Sequence, residues 1–274
     1  MRDLDGKNVV VTGGSYGLGK ELARSFVQEG ANVYLIARDP VKLDAAVQEL
    51  TSQVQRGRRV KGFAADVSDR EAIFRAIEAI ALEGPGIDVL VNNADIVIPG
   101  YFEKIPIEAF ETVVRTNYLG AVNSTKAALP YLLKRQRSAI TFTSSLAGHK
   151  GIFGYSTYSP TKAALISLAE VIRVETRGKG VQVSVLCPPD TDTPGLKSEK
   201  KVRPPETSAV SGSAREMPAA EVAACFMRGF KAGKFMVICD FMGRLLYRMN
   251  GLAPRLVDFY MDATVALARR KKGS

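Results

Sequence analysis

Residues 8–19 read NVVVTGGSYGLG. The valine run is apolar on both faces and β-branched, which suits a fully buried strand. It ends in a turn containing Gly13, Gly17 and Gly19, and a helical pattern opens near residue 18. Glycines there let the chain turn tightly and lie close to whatever occupies the loop. The N-terminus of the following helix offers free N–H donors and a positive dipole end, which together suit an anionic group.

The same alternation continues outward. NVYLIA (32–37), VKGFAAD (60–66), VLVNNA (89–94), AITFTS (139–144) and VQVSVLC (181–187) read as buried strands. Helical stretches lie between them near 18–29, 40–54, 69–82, 107–134 and 158–177. This rhythm predicts an α/β fold: a single doubly wound parallel sheet with helices on both faces. The rhythm stops after Cys187. Residues 188–217 are rich in Pro, Thr, Ser and Lys and read as one long loop, of the kind that serves as a substrate lid. A helix near 218–232 and a short strand at 235–239 follow. The chain therefore divides into a main domain, 1–240, and a C-terminal helical extension, 241–274.

With 274 residues, 46% hydrophobic and 24% charged, the chain is long and apolar enough for one globular α/β domain. Three scattered cysteines, Cys187, Cys225 and Cys239, have neither disulfide nor zinc spacing, and a reducing cytoplasmic setting is expected. His149 is the only histidine, so no metal site is expected and a Ser-His-Asp triad is disfavoured. The N-terminus enters a strand at once and lacks a signal-peptide pattern, and no uncharged apolar run is long enough to span a membrane. The formal charge is +10, but the basic residues fall in separate groups (56–61, 197–203, 269–272) with no nucleic-acid module beside them. Nucleic acid is not an expected partner.

The T-G-x-x-x-G-x-G spacing of residues 12–19 resembles the short-chain dehydrogenases/reductases. That resemblance implies a Rossmann-type fold binding a nicotinamide dinucleotide, with Gly13, Ser15, the Tyr16 backbone, Gly17 and Gly19 at its phosphates. The second strand ends in ARDPVK, so Arg38 and, one helical turn on, Lys42 are placed to meet a 2′-phosphate, which favours NADPH/NADP. Asp39 followed by Pro40 reads as a helix N-cap. In ADVSD (65–69) the family pattern implies that Asp66 and Val67 meet the adenine; the plainer reading is that Asp66 or Ser68 caps the next helix. NNAD (92–95) resembles the family N-N-A-G, with Asn93 kept and Asp95 standing where Gly is usual.

In YSTYSPTK (155–162), Tyr158 and Lys162 are four apart and share a helical face, whereas Tyr155 has Ser159 at that offset. An ammonium near a phenol favours the phenolate. The resemblance implies that Tyr158 is the acid/base and that Lys162 lowers its pKa and binds the nicotinamide ribose. Ser145 of SSLAG then orients the substrate carbonyl, and Asn117 of RTNYLG bends its helix and holds a water beneath Lys162. Tyr155 is expected to form a pocket wall.

The loop CPPDTDTPG (187–195) keeps the family Thr at Thr193, placing it beside the cofactor. Its form resembles that of the 3-ketodihydrosphingosine reductases within the family, which implies NADPH-dependent reduction of a long-chain amino ketone in sphingolipid synthesis. A cationic 2-amino-3-ketone requires a nearby acid, for which Asp190 and Asp192 are candidates. Another hydrophobic carbonyl, such as a 3-oxoacyl thioester or a steroid, is the alternative, and an NADP-binding sensor or scaffold is the non-enzyme one. From Pro254 onward Leu256, Tyr260, Ala263 and Leu267 share one helical face, and Arg255, Asp258, Asp262 and Arg269 another. With its Arg-Arg-Lys-Lys end (269–272), the segment fits either peripheral contact with a cytosolic membrane face or packing on its own domain or on a partner in a dimer or tetramer.

Overall fold

The computed structural model describes residues 1–55, 57–212 and 215–273, excluding the side chains of 271–273. Arg56 and the side chains of Lys271 and Lys272, members of two of the basic groups, therefore lie outside the described residues. The chain alternates as expected. In order come β1 (Asn8–Thr12), α1 (Gly17–Gln28), β2 (Asn32–Ala37), α2 (Pro40–Thr51), β3 (Val60–Ala64), α3 (Arg70–Leu82) and β4 (Val89–Asn92). Then follow α4 (Ile107–Val113), a π-helical stretch (Val114–Leu119), α5 (Gly120–Leu132), β5 (Ser138–Thr143), α6 (Ser159–Glu175) and β6 (Val181–Cys187).

All strands of the main sheet are parallel, in the order β3-β2-β1-β4-β5-β6 and then a last strand, β9, at the far edge. The order reverses direction between β1 and β4, so the loops after those two strands diverge and leave a crevice at their carboxyl ends. β1 is buried along its whole length, as its valine run requires. One apolar core lies between the sheet and α1, α2 and a later helix, α9; it includes Leu22, Phe26, Leu43, Phe226 and Phe230. The other lies beneath α3, α5 and α6 and includes Ile73, Ile77, Leu132, Leu165 and Ile172.

The stretch 188–217 differs from its reading as one structureless loop. It holds β7 (Thr191–Asp192), α7 (Pro194–Glu199), α8 (Pro205–Ser211) and the start of β8 (Met217–Pro218), with β7 and β8 pairing in parallel. Its prolines are helix starters: Pro194 and Pro205 occupy first-turn positions, and the Thr193 hydroxyl caps α7 by accepting from the Leu196 N–H at 3.2 Å. α9 (Ala219–Lys231) and β9 (Met236–Ile238), the last strand of the sheet, follow.

Two helices form the extension, α10 (Phe241–Leu252) and α11 (Pro254–Gly273). Asp240 caps α10 through the Gly243 N–H at 2.6 Å, and the break falls at Ala253 because Pro254 has no N–H to continue the ladder. α11 packs against α8. On α11 Val257 is buried and Met261, Thr264 and Ala268 are half-buried; of the stripe expected to meet a membrane, the domain or a partner, Leu256, Tyr260 and Leu267 are largely exposed, Ala263 is half-buried, and Tyr260 also lines the cavity that reaches Ser145. The expected polar face is also partly engaged. Asp258 pairs with Lys150, while Arg269 pairs with Glu206 at 3.4 Å and lies 5.4 Å over the Phe153 ring. The ends of both pairs lie in distant sequence, so helical periodicity alone could not reveal them. Among the described residues no helix is long and apolar enough to cross a membrane.

Candidate active site

The glycine loop closes the crevice at β1. Gly13 and Gly17 have φ of +65° and +57°, and a Cβ on Gly13 would come 2.7 Å from the Ala94 Cα. A Cβ on Gly19 would overlap the Gly13 carbonyl oxygen, so helix and loop can approach only because residue 19 is glycine. The Asn93 amide donates to the carbonyls of Thr12 and Gly13 at 3.4 and 3.5 Å, so this residue braces the loop from behind. Tyr16 sits at the N-cap of α1 without a side-chain cap, leaving the first-turn N–H groups of a 12-residue helix facing the crevice. Ser15 is buried beside them. Thr193 packs over the loop, 3.3 Å from a Cβ built on Gly17. Close backbone approach and an uncapped helix N-terminus suit an anionic group, and the residues fit the implied dinucleotide.

Further along the crevice, Asp39 caps α2 by accepting from Val41 and Lys42 N–H at 3.1 Å, as its sequence context suggested. Arg38 is exposed and 3.5 Å from Asp66, and Lys42 lies 5.8 Å over the Tyr16 ring. Asp66 does not cap α3. It accepts from the Ser68 N–H and hydroxyl, and Asp69 takes the cap. Val67 is buried against Gly120, with its carbonyl bonded to Asn123.

At the other end of the crevice the four catalytic candidates converge. Tyr158 is the N-cap residue of α6, and its phenol lies near the Ser145 hydroxyl, which accepts from the Ala147 N–H at 3.1 Å. Lys162, one turn on and 1% exposed, holds its Nζ 5.2 Å from the Tyr158 ring centroid and donates to the Thr143 carbonyl at 2.9 Å. Ser144, the neighbouring serine, is buried and donates to the Lys162 carbonyl, which leaves Ser145 as the one facing the cavity. Asn117 lies in the π-helical stretch. Its carbonyl oxygen accepts from the Ile96 N–H at 2.8 Å, and its amide donates to the Ile96 carbonyl and the Thr161 hydroxyl. It ties the loop after β4 to the helix carrying Lys162.

Three expectations change here. The Tyr158 pKa is not lowered: burial first, then the Asp95 carboxylate, push it well above the ordinary phenol range. Asp192 is exposed and pairs with Lys197 at 2.9 Å, so it leaves the pocket. Asp190 lines the cavity, but its carboxylate meets the buried Arg203 at 3.0 Å. Arg203 also reaches Glu199 at 3.5 Å, and Glu199 accepts a hydrogen bond from the Tyr155 hydroxyl. Tyr155 is a buried pocket wall, its ring 5.4 Å from that of Tyr158. Burial holds the Glu199 carboxyl above its usual range. Glu199 and Arg203 were missed in the sequence. Their i,i+4 spacing was the available signal, hidden by reading the stretch as a loop.

From Ser145 an apolar cavity runs under α10 and α11, between Pro189, Leu246, Tyr247, Val257 and Met261. His149 also lines it, its ring 4.6 Å from Tyr247 and its Nε2 without a hydrogen-bond partner.

The crevice, its glycine cradle and the Ser145–Tyr158–Lys162–Asn117 set define the class. A family model for short chain dehydrogenase matches residues 7–203, and the chain belongs to the short-chain dehydrogenase/reductase family: it is an oxidoreductase of the keto/hydroxyl type. Among curated relatives it is 40% identical to 3-dehydrosphinganine reductase TSC10B of Arabidopsis thaliana, over 91% of this chain and 75% of that protein. It is 35% identical to the 3-ketodihydrosphingosine reductase of Dictyostelium discoideum, over 94% of this chain and 81% of that one. In fold it is similar to a short chain dehydrogenase/reductase from Burkholderia phymatum solved with NAD, with TM-score 0.82, 23% identity and coverage of 93% and 96%. A short-chain dehydrogenase from Sphingobium yanoikuyae solved with NADPH gives TM-score 0.76 at 25% identity, covering 92% of this chain and 95% of that one.

Proposed function

We propose that the chain reduces the 3-keto group of 3-ketodihydrosphingosine to dihydrosphingosine with NADPH. The observation that carries this reading is the apolar cavity that starts at Ser145 and continues under the extension, a trough for one long chain with its carbonyl at the Ser145–Tyr158 pair. The names of the two curated relatives support the same substrate.

When bound, NADPH supplies the hydride. Gly13, Ser15, Tyr16, Gly17 and Gly19 would hold its diphosphate under Thr193, with Asn93 bracing the loop. Arg38 and Lys42 would take the 2′-phosphate, and Asp66 and Val67 the adenine. Ser145 donates to the carbonyl oxygen as negative charge grows there. Tyr158 gives that oxygen its proton. Lys162 and Asn117 keep the phenol, the ribose side of the crevice and the loop after β4 in register. The substrate ammonium is drawn to the group of Asp190, Glu199 and Arg203 beside Tyr155; two carboxylates against one guanidinium leave it on the acidic side.

Outward on the extension, Phe241, Leu252, Leu256 and Phe259 are 62–82% exposed. Exposed apolar side chains on the two helices that cover the cavity suit peripheral contact with a cytosolic membrane face, from which an insoluble chain would enter. Exposed Val171 and Val174 on α6 support assembly with further copies of the chain. Incubating the purified protein with NADPH and the amino ketone and identifying the lipid product by mass spectrometry tests the reaction. Formation of dihydrosphingosine supports it, and unchanged ketone refutes it.

A further inference from the structure

The carboxylate of Asp95 lies 2.8 Å from Lys162 Nζ, at a position where the family pattern has no side chain. We propose that Asp95 offsets the charge of Lys162 and thereby keeps the Tyr158 phenol in its proton-bearing form, making it a positioning residue that fits the site for reduction. The inference rests on the reductase reading above.

Lys162 is 1% exposed and has two acceptors, the Thr143 carbonyl and Asp95. An ammonium this close to a phenol normally stabilises the phenolate. Here a carboxylate adjoins the ammonium, so Tyr158 sees a pair rather than a cation. The other groups facing Tyr158 do not restore positive charge. Tyr155 and Glu199 both disfavour the phenolate, and Arg203, behind them, is held by Asp190 and Glu199. Ser145, near the phenol, is uncharged at any relevant pH. On the β6 side, burial pushes the Cys187 thiol up to about 12, so it stays neutral. Asp95 is the largest charged contributor at Tyr158, second only to burial. Reduction requires the phenol as proton donor; oxidation requires the phenolate as acceptor. A site that keeps the proton through neutral pH favours turnover in the first direction there.

The sign of the effect follows directly. Removing a negative charge beside Tyr158 lowers its pKa, so reduction should fail at a lower pH and oxidation should begin at a lower pH. Absorbance titration of tyrosinate in the cofactor-free protein reads Tyr158 without substrate or turnover. Wild type and Tyr158→Phe should superimpose up to about pH 11. Asp95→Asn should ionise one tyrosine at a lower pH than wild type does, and adding Tyr158→Phe to Asp95→Asn should remove that tyrosine. Asp95→Gly, with the family residue, is a second background for the same comparison. In NADPH-dependent reduction the alkaline limb of kcat/KM should move down by about one pH unit or more in Asp95→Asn, while Asp95→Glu should stay near wild type. If the extra tyrosine ionises but the amino ketone is not reduced, the substrate reading fails and the role of Asp95 stands. If titrations with and without Asp95 coincide in both backgrounds, the proposal is overturned.

Discussion

Lys162 and Asp95 form an ion pair at 2.8 Å, with the ammonium buried and the carboxylate 38% exposed. The pair joins the helix that starts at Tyr158 to the loop after β4. Asn117 makes a second tie between the same two elements, through Ile96 and Thr161. The phenol, the ammonium and the mouth of the crevice are therefore held as one unit by groups other than the Tyr158 hydroxyl, so removing that hydroxyl alone should leave the unit intact.

Tyr158→Phe should reduce turnover by several orders of magnitude while leaving the NADPH dissociation constant nearly unchanged, because only the proton-donating hydroxyl is removed. Tyr155→Phe loses its hydrogen bond to Glu199 but no group that reacts, so its effect should fall mainly on KM. Steady-state kinetics with cofactor fluorescence titration distinguish the two. Equal losses of kcat would remove the assignment.

Arg38→Ala combined with Lys42→Ala should weaken NADPH far more than NADH. Each charge-assisted contact to a 2′-phosphate contributes on the order of 1.5–3 kcal/mol, about tenfold or more in affinity. Calorimetric titration with both cofactors gives the comparison; an equal loss for both would contradict a 2′-phosphate site.

Glu199→Gln should raise KM for the amino ketone and spare an analogue lacking the amine. Asp192→Asn should do neither, because that carboxylate pairs with Lys197 on the surface. Arg203→Met should instead destabilise the fold, since it leaves Asp190 and Glu199 without their buried cation. Breaking a buried ion pair from one side costs about 3–5 kcal/mol, readable by urea denaturation. Matched effects of Glu199→Gln on both ketones would confine that residue to shaping the loop.

Leu256→Ser with Phe259→Ser should release the protein from anionic vesicles in a sedimentation assay and leave its melting temperature near wild type, because both side chains point outward. Arg269→Gln is a poorer probe of membrane contact, since that residue pairs with Glu206 and covers Phe153. Unchanged vesicle binding in the double serine variant would exclude the outer face as the contact.

The sequence was most legible where local pattern and tertiary role coincide. The β1 valines are buried on both faces because the sheet is parallel and covered on both sides, and that gives an unbroken apolar run. Gly13 and Gly19 are identifiable because no other residue satisfies the close approach they make. Ser145, Tyr158, Lys162 and Asn117 were legible through the order of their motifs. Asp95 was visible as a departure from the pattern, but its partner lies on another element and spacing says nothing of it. The same holds for Asp190 with Arg203 and for Arg269 with Glu206. In 188–217, Pro194, Pro205 and Thr193 have the composition of a loop and the function of helix starts, so composition alone concealed α7, α8 and the half-buried Glu199.

The most direct test of the central claim is the specificity constant of the purified protein with NADPH for three carbonyls under one set of conditions: 3-ketodihydrosphingosine, a 3-oxoacyl thioester and a 3-ketosteroid. The account expects kcat/KM for the amino ketone to exceed both others by at least tenfold, and Tyr158→Phe to abolish the activity. A higher value for the thioester or the steroid, or no turnover of the amino ketone by protein that binds NADPH, would contradict it.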